Sequence, residues 1–229
     1  MKQKKFLFVI FSTLCFLAIR PAQALAEGFM DIYGGWASTR DANVDVSISS
    51  SSLGFVSRES HKEKVDFGSS YTLGARVGYW FEKFPYVGIA GDLSYFKAEN
   101  KTTEIHVVPV SLLLMLRYPL IKSEKFQYGR LQPYVGIGPG FFLSISNVDF
   151  RPTVQDTFSG ASVDVGLDLR AGIAWQFQKH LALFGEYRYT GFSIDLEQTD
   201  ILYGFAGTKE TMKTQLATNH FLIGISYRF

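Results

Sequence analysis

From Ala161 to Phe177 the chain alternates without a break. Odd positions hold Ala161, Val163, Val165, Leu167, Leu169, Ala171, Ile173, Trp175 and Phe177, while even ones hold Ser162, Asp164, Gly166, Asp168, Arg170, Gly172, Ala174 and Gln176. A period of two puts successive side chains on opposite faces of an extended strand. One face is therefore continuously apolar and ends in aromatics, and the other carries carboxylates and a guanidinium among Gly and Ala. Charged groups set among small residues suit a crowded interior, so the apolar face points outward. A strand that crosses lipid in a closed sheet has this polarity.

The same reading along the chain predicts eight strands, at 29–40, 69–82, 86–97, 103–118, 131–146, 160–178, 181–191 and 214–229. Each reaches the roughly 9–11 residues that a bilayer-crossing strand needs. Connections alternate in length: Lys83-Phe84-Pro85 and Lys179-His180 are tight, whereas Asp41 to Gly68 and Phe192 to Lys213 are long and polar. Short turns at one end and long loops at the other predict an all-β, eight-stranded antiparallel up-and-down transmembrane β-barrel. Outer loops are expected near 41–68, 98–102, 147–159 and 192–213, both chain ends in the periplasm, and an unusually long third inner turn at 119–130.

Faces agree from strand to strand. Tyr71, Leu73, Ala75, Val77, Tyr79 and Phe81 face out opposite Thr72, Gly74, Arg76, Gly78, Trp80 and Glu82, and Phe221, Ile223, Ile225, Tyr227 and Phe229 face out opposite His220, Gly224, Ser226 and Arg228. At one rim the outward positions gather Tyr79, Phe81, Tyr118, Trp175, Phe177, Tyr227 and Phe229, an interfacial aromatic girdle. Tyr71, Tyr95 and Tyr189 form a thinner counterpart. Pro109 and Pro139 fit poorly, since proline cannot donate to a ladder and a closed barrel has no free edge, so a bulge or break is expected at Pro139.

Residues 1–26 read as a cleaved signal peptide, with Lys2, Lys4 and Lys5 ahead of an apolar run and Ala24-Leu25-Ala26 for cleavage. The remaining 27–229 form the barrel domain. The single cysteine, Cys15, lies in the leader, so disulfides and thiol chemistry are excluded from the domain. The leader holds four of the 23 Lys+Arg and none of the 21 Asp+Glu, leaving 19 against 21, a formal charge of −2. That balance gives no electrostatic reason for a nucleic-acid partner.

The segment from Phe221 to Phe229, with aromatic and apolar residues at two-residue steps, resembles the assembly signal of bacterial outer-membrane barrels, carried by Tyr227 and Phe229. Together with Leu131-Gln132-Pro133-Tyr134-Val135-Gly136-Ile137-Gly138 and Phe184-Gly185-Glu186-Tyr187-Arg188-Tyr189, it is similar to the small outer-membrane β-barrel superfamily of the OmpA membrane domain, OmpX, Opa and OmpW. The resemblance implies a Gram-negative outer membrane, lipid and lipopolysaccharide as surroundings, and the barrel-assembly machinery as a partner. It does not choose among that superfamily's functions.

Inward charges come to Arg76, Arg117, Arg170, Arg188 and Arg228 against Glu82, Asp92, Asp164, Asp168 and Glu186. An eight-stranded lumen is just wide enough for side chains to fill it. Arg76, Asp92, Asp168, Arg170, Glu186 and Arg188 are accordingly expected to form a lumen ion-pair network rather than a catalytic pocket or an open pore. His61, His106, His180 and His220 fall at four separate places, so no metal site and no cofactor is expected. The leading function is a non-enzymatic, monomeric barrel with a structural or surface-contact role through its loops. The apolar knob Ile201, Leu202, Tyr203 and Phe205 is a candidate contact with an unknown ligand or with lipopolysaccharide; alternatively it folds down over the barrel mouth. Two other classes stay open. One is a conduit for small hydrophobic molecules using His106 to Leu112 and inward Leu113, Met115 and Phe142, as the OmpW likeness implies. The other is a lipid A-modifying enzyme built on outward His106, which lacks a recognisable nucleophile partner.

Overall fold

In a computed structural model, residues 27–40, 42–52, 55–65, 67–99, 103–124, 126–149, 157–202 and 206–229 are described. The leader at 1–26 and Tyr203 and Phe205 of the apolar knob lie outside them. The strands are β1 (Glu27–Thr39), β2 (Ala42–Ser52), β3 (Phe55–Val65), β4 (Ser69–Trp80), β5 (Val87–Glu99), β6 (Thr103–Arg117), β7 (Leu131–Asp149), β8 (Thr157–Gln178), β9 (Leu181–Leu202) and β10 (Ala206–Arg228). All pairings are antiparallel. The order β1-β4-β5-β6-β7-β8-β9-β10 returns to β1, where Phe29 meets Arg228 and Thr39 meets Thr218, so eight strands close a barrel. Closure leaves the barrel wall without a free strand edge.

The remaining two strands correct the sequence reading of 41–68 as a loop. Ser38 pairs with Ser69 in the β1–β4 ladder and Ala42 with Val65 in the β2–β3 ladder, the same register, so β2 and β3 continue the β1–β4 hairpin beyond the barrel. β2 also pairs with the outer half of β10, from Val44↔Thr214 to Ser52↔Ala206. The expected long loop at 192–213 is likewise strand, for β9 and β10 pair from Tyr227↔Leu181 to Ala206↔Leu202. The loop expected at 147–159 shortens too, because β7 runs to Asp149 and β8 starts at Thr157. A serine-rich, charged stretch looks like a loop by composition. Here neighbouring strands supply a ladder to pair with, and backbone pairing overrides weak intrinsic preference.

At the other end the 119–130 connection is folded on itself: Leu120 and Leu131 exchange backbone hydrogen bonds, and Gly129 takes a positive φ of 84° that a Cβ would strain. The awkward prolines sit at interruptions. The β5–β6 ladder skips from Leu93↔Val110 to Phe96↔Val107, around Pro109, and the β6–β7 ladder skips from Ser111↔Gly140 to Leu114↔Ile137, around Pro139. Register is unchanged on either side, so each is a break and not a bulge.

Outward faces carry Ile32, Trp36, Leu112, Val135, Ile137, Val163, Ile173, Ile223 and Ile225, all exposed. At the turn end the rings pair two residues apart, with centroids 5.2 Å apart for Tyr79–Phe81, 6.3 Å for Trp175–Phe177 and 5.1 Å for Tyr227–Phe229.

Candidate functional site

The lumen is filled in layers. Nearest the turns, Glu27, Arg117, Gln132, Gln176 and Arg228 are buried. Arg117 pairs with Glu27, also donates to the Pro85 carbonyl at 2.8 Å, and lies over the Trp80 ring at 4.3 Å. At the hairpin end an apolar layer of Phe96, Ile105, Val107, Phe142, Phe192 and Leu216 is sealed, with the Phe142 and Phe192 rings stacked at 4.2 Å.

Between these layers lies the charged centre. Arg76 on β4 donates Nε to Asp31 on β1 at 2.8 Å and Nη1 to Glu186 on β9 at 2.7 Å. Tyr134 on β7 donates to the same Glu186 oxygen at 2.7 Å. Arg170 on β8 binds three carboxylates: Asp92 on β5 at 2.7 Å, its own neighbour Asp168 at 2.9 Å, and Glu186 at 3.2 Å. Arg188 on β9 reaches Asp168 at 2.8 Å and the Ser94 hydroxyl at 2.7 Å. Tyr33 donates to Asp92 at 2.7 Å and Ser111 to Asp168 at 2.7 Å. Strands on every side of the barrel are thus tied across its axis by charge-assisted hydrogen bonds, the strong kind.

The structure brings Arg76, Asp92, Asp168, Arg170, Glu186 and Arg188 together in this one cluster. It also adds Asp31, with Glu27 in the layer nearest the turns, removes one inward assignment and leaves Asp164, though inward, outside the network. Glu82 is exposed in the turn after β4, and Asp164 is only half-buried, accepting from Ser162 at 2.7 Å. Asp31 escaped the sequence because β1 carries large apolar groups on both faces: Phe29 and Tyr33 are buried inside while Ile32 and Trp36 are exposed. Amphipathic phase is unreadable in such a strand. A carboxylate at the step of Phe29 and Tyr33 was the available signal.

On the outer surface His106 is half-buried on the outward face of β6. Its Nδ1 lies 2.7 Å from the Tyr95 hydroxyl and its Nε2 3.2 Å from Glu104, which in turn meets Lys97 at 2.5 Å. The hydroxyl beside this imidazole is phenolic, in place of the serine an acyl-transfer triad needs. Ile201 and Leu202 end β9.

Comparisons with known proteins supply the family. The model of the outer membrane protein beta-barrel domain matches residues 11–229. The chain belongs to that family. Solved barrels resemble it at low identity: Neisserial surface protein A (NspA), 13% identical over 89% of this chain and 99% of the other, TM-score 0.49; OprG from Pseudomonas aeruginosa, 20% over 90% and 97%, TM-score 0.49; and AlkL, 16% over 92% and 93%, TM-score 0.47. A search of curated proteins finds no match. Membership places this outer membrane protein beta-barrel in the bacterial outer membrane.

Proposed function

We propose that the protein is a non-enzymatic surface-contact barrel, whose hairpin end faces the exterior and whose turn end, with Glu27 and Phe229, faces the periplasm. The observation that carries this reading is the sheet beyond the barrel. β3, β2 and the outer halves of β10 and β9 form four adjacent strands there, and among the described residues β3 pairs with β2 alone. Above Gly166↔Phe192, β9 pairs among the described residues only with β10. Two strand edges therefore present backbone donors and acceptors to the medium, and an extended segment of another protein can add to such an edge. β3 carries Arg58, Glu59, Lys62, Glu63 and Lys64, charges that discourage indiscriminate pairing, while Ser193 to Leu202 contains no Lys or Pro. Ile201 and Leu202 are the last residues of β9, at the end of this edge. The sealed lumen supports the same reading, because a barrel plugged by charge-paired side chains offers no aqueous passage.

The test compares cells displaying the wild-type chain with cells in which 42–65 is replaced by a short turn. Adhesion to wells coated with serum proteins is expected to fall with the deletion. Equal adhesion, with both proteins still shifting on gels between boiled and unboiled samples, overturns the reading.

The broken ladders at Pro109 and Pro139 favour a second reading, a binding site or conduit for small hydrophobic molecules beside Phe96, Val107 and Phe142. The Phe142–Phe192 stack occupies that space. Ordered detergent between the two rings in crystals would be its mark, and tightly stacked rings in detergent-soaked crystals would count against it.

A further inference from the structure

The outward wall of the barrel carries a groove of about 460 Å³ over β6 to β9, four neighbouring strands. Leu114 and Leu116 mark its β6 side and Tyr187 and Tyr189 its β9 side, and between them Ala171 contributes only a methyl group. Arg170, also at the groove, turns its guanidinium into the lumen network. Toward the turn end the outward face of β8 continues from Ala171 through Ile173 to Trp175, both exposed. Beside Ile173 the partner on β9 is Gly185, where a Cβ would meet nothing within 4 Å, so no side chain blocks the way. From Leu169, at the groove, to Trp175 is six residues, about 20 Å of strand. Tilted by about 40°, that length rises about 15 Å, half of a hydrocarbon core about 30 Å thick. The groove and its approach are together one leaflet deep. At the turn-end mouth stands Arg130, exposed, its guanidinium over the Trp175 ring at 5.5 Å and the Phe126 ring at 5.8 Å. Its backbone is held on both sides, its N–H donating to the Ile121 carbonyl at 3.1 Å and its carbonyl accepting from Gln176 at 2.8 Å. Among the described residues no carboxylate pairs with it.

We propose that this wall seats one phospholipid of the periplasmic leaflet, an acyl chain lying in the groove and the phosphate on Arg130. Trp175 belongs to the interfacial girdle, which sets Arg130 at headgroup height. The planar fork of a guanidinium matches a phosphate, and a long basic side chain at a membrane edge reaches for that level. A lipid supplies hydrocarbon and anion in one molecule, whereas the same face of a second copy would bring a second uncompensated arginine. The leaflet rests on the orientation given above, turn end toward the periplasm; the seat itself is independent of the adhesive role of the outer sheet.

The experiment photolabels the full folded barrel in vesicles of phosphatidylethanolamine and phosphatidylglycerol, with a trace of phosphatidylglycerol carrying a diazirine on one acyl chain. Label is expected to concentrate on Leu114, Leu116, Ala171 and Tyr187; label spread equally to Leu73, Ala75 and Val77, on β4 across the barrel, overturns the seat. Ala171→Phe is expected to abolish the concentration and Ala75→Phe to leave it. Arg130→Gln should lower it about fivefold, as for one basic group at a lipid surface, with Lys83→Gln as the neutral control. A dimer that Ala171→Phe dissociates would overturn the lipid in favour of a second copy. If Ala171→Phe fails to fold, the wild-type label pattern and Arg130→Gln decide. The leaflet is tested separately: Lys179→Cys is expected to react with an impermeant thiol reagent only in permeabilised cells, and reaction in intact cells overturns the periplasmic assignment.

Discussion

Arg170 on β8 and Arg188 on β9 are directly opposed partners in the ladder, two buried guanidiniums side by side inside a sealed barrel. Like charges in that relationship destabilise a sheet. What reverses the sign is Asp168, one of whose oxygens accepts from Arg170 at 2.9 Å and from Arg188 at 2.8 Å, with Asp92 behind at 2.7 Å and 3.8 Å. The pair is held together by the acids between them, which makes those acids the sensitive points of the lumen.

Asp168→Asn keeps the shape and removes the charge, leaving two arginines facing one another. A loss of about 3–5 kcal/mol is expected, the usual cost of stripping one partner from a buried ion pair. Denaturant unfolding of the detergent-folded barrel measures it. Asp164→Asn, on the same strand face but half-buried and, among the described residues, bonded to Ser162 alone, is expected to change stability by no more than about 0.5 kcal/mol. Equal effects at the two positions would contradict the network's role.

A side chain at Gly74 would intrude on the same centre. A Cβ built there lies 2.5 Å from the Tyr33 hydroxyl and 2.7 Å from Ser94 Cβ. Gly74→Ala must therefore push Tyr33 off Asp92 or spread β4 from β5, with an expected cost of about 1–3 kcal/mol as for other overpacked cores. Unchanged unfolding would show that Tyr33 has an alternative seat.

The interrupted ladders make a prediction about dynamics. Amides at 93–96 and 111–114, beside the gaps at Pro109 and Pro139, should exchange with deuterium faster than those of the uninterrupted β9–β10 ladder, because local opening follows missing backbone hydrogen bonds. Uniform protection around the barrel would mean that the gaps are closed in the membrane.

His106 offers a check on catalysis. Its neighbours are the Tyr95 phenol and Glu104, so the lipid A mass spectrum is expected to be the same with the wild-type chain, with His106→Ala and without expression. Loss of an acyl chain that depends on His106 would establish an enzyme.

The barrel was legible because eight strands repeat one inverted alternation, and β8 alone, with Asp168 and Arg170 opposite Leu167, Leu169 and Ala171, reveals which face is inside. The lumen centre was legible for the same reason wherever a charge stood among Gly and Ala. Asp31 was not, since Phe29 and Tyr33 give β1 two apolar faces. The outer sheet was hidden for a different cause. Ser49 to Ser52 and the charges of β3 spell out no apolar alternation, and what makes them strands is the backbone ladder inherited from β1, β4 and β10.

β10 pairs with β1 through its inner half and with β2 through its outer half. The seam this creates joins Phe29 to Arg228, so the pairing with the greatest chain separation must form after nearly all the others have something to stand on. Because one strand makes both joins, closing the wall and completing the sheet beyond it rest on the same element. A chain whose β2 and β3 are seated on β10 has that strand in place to meet β1, and the four-stranded sheet is thus the visible sign of a closed wall beneath it.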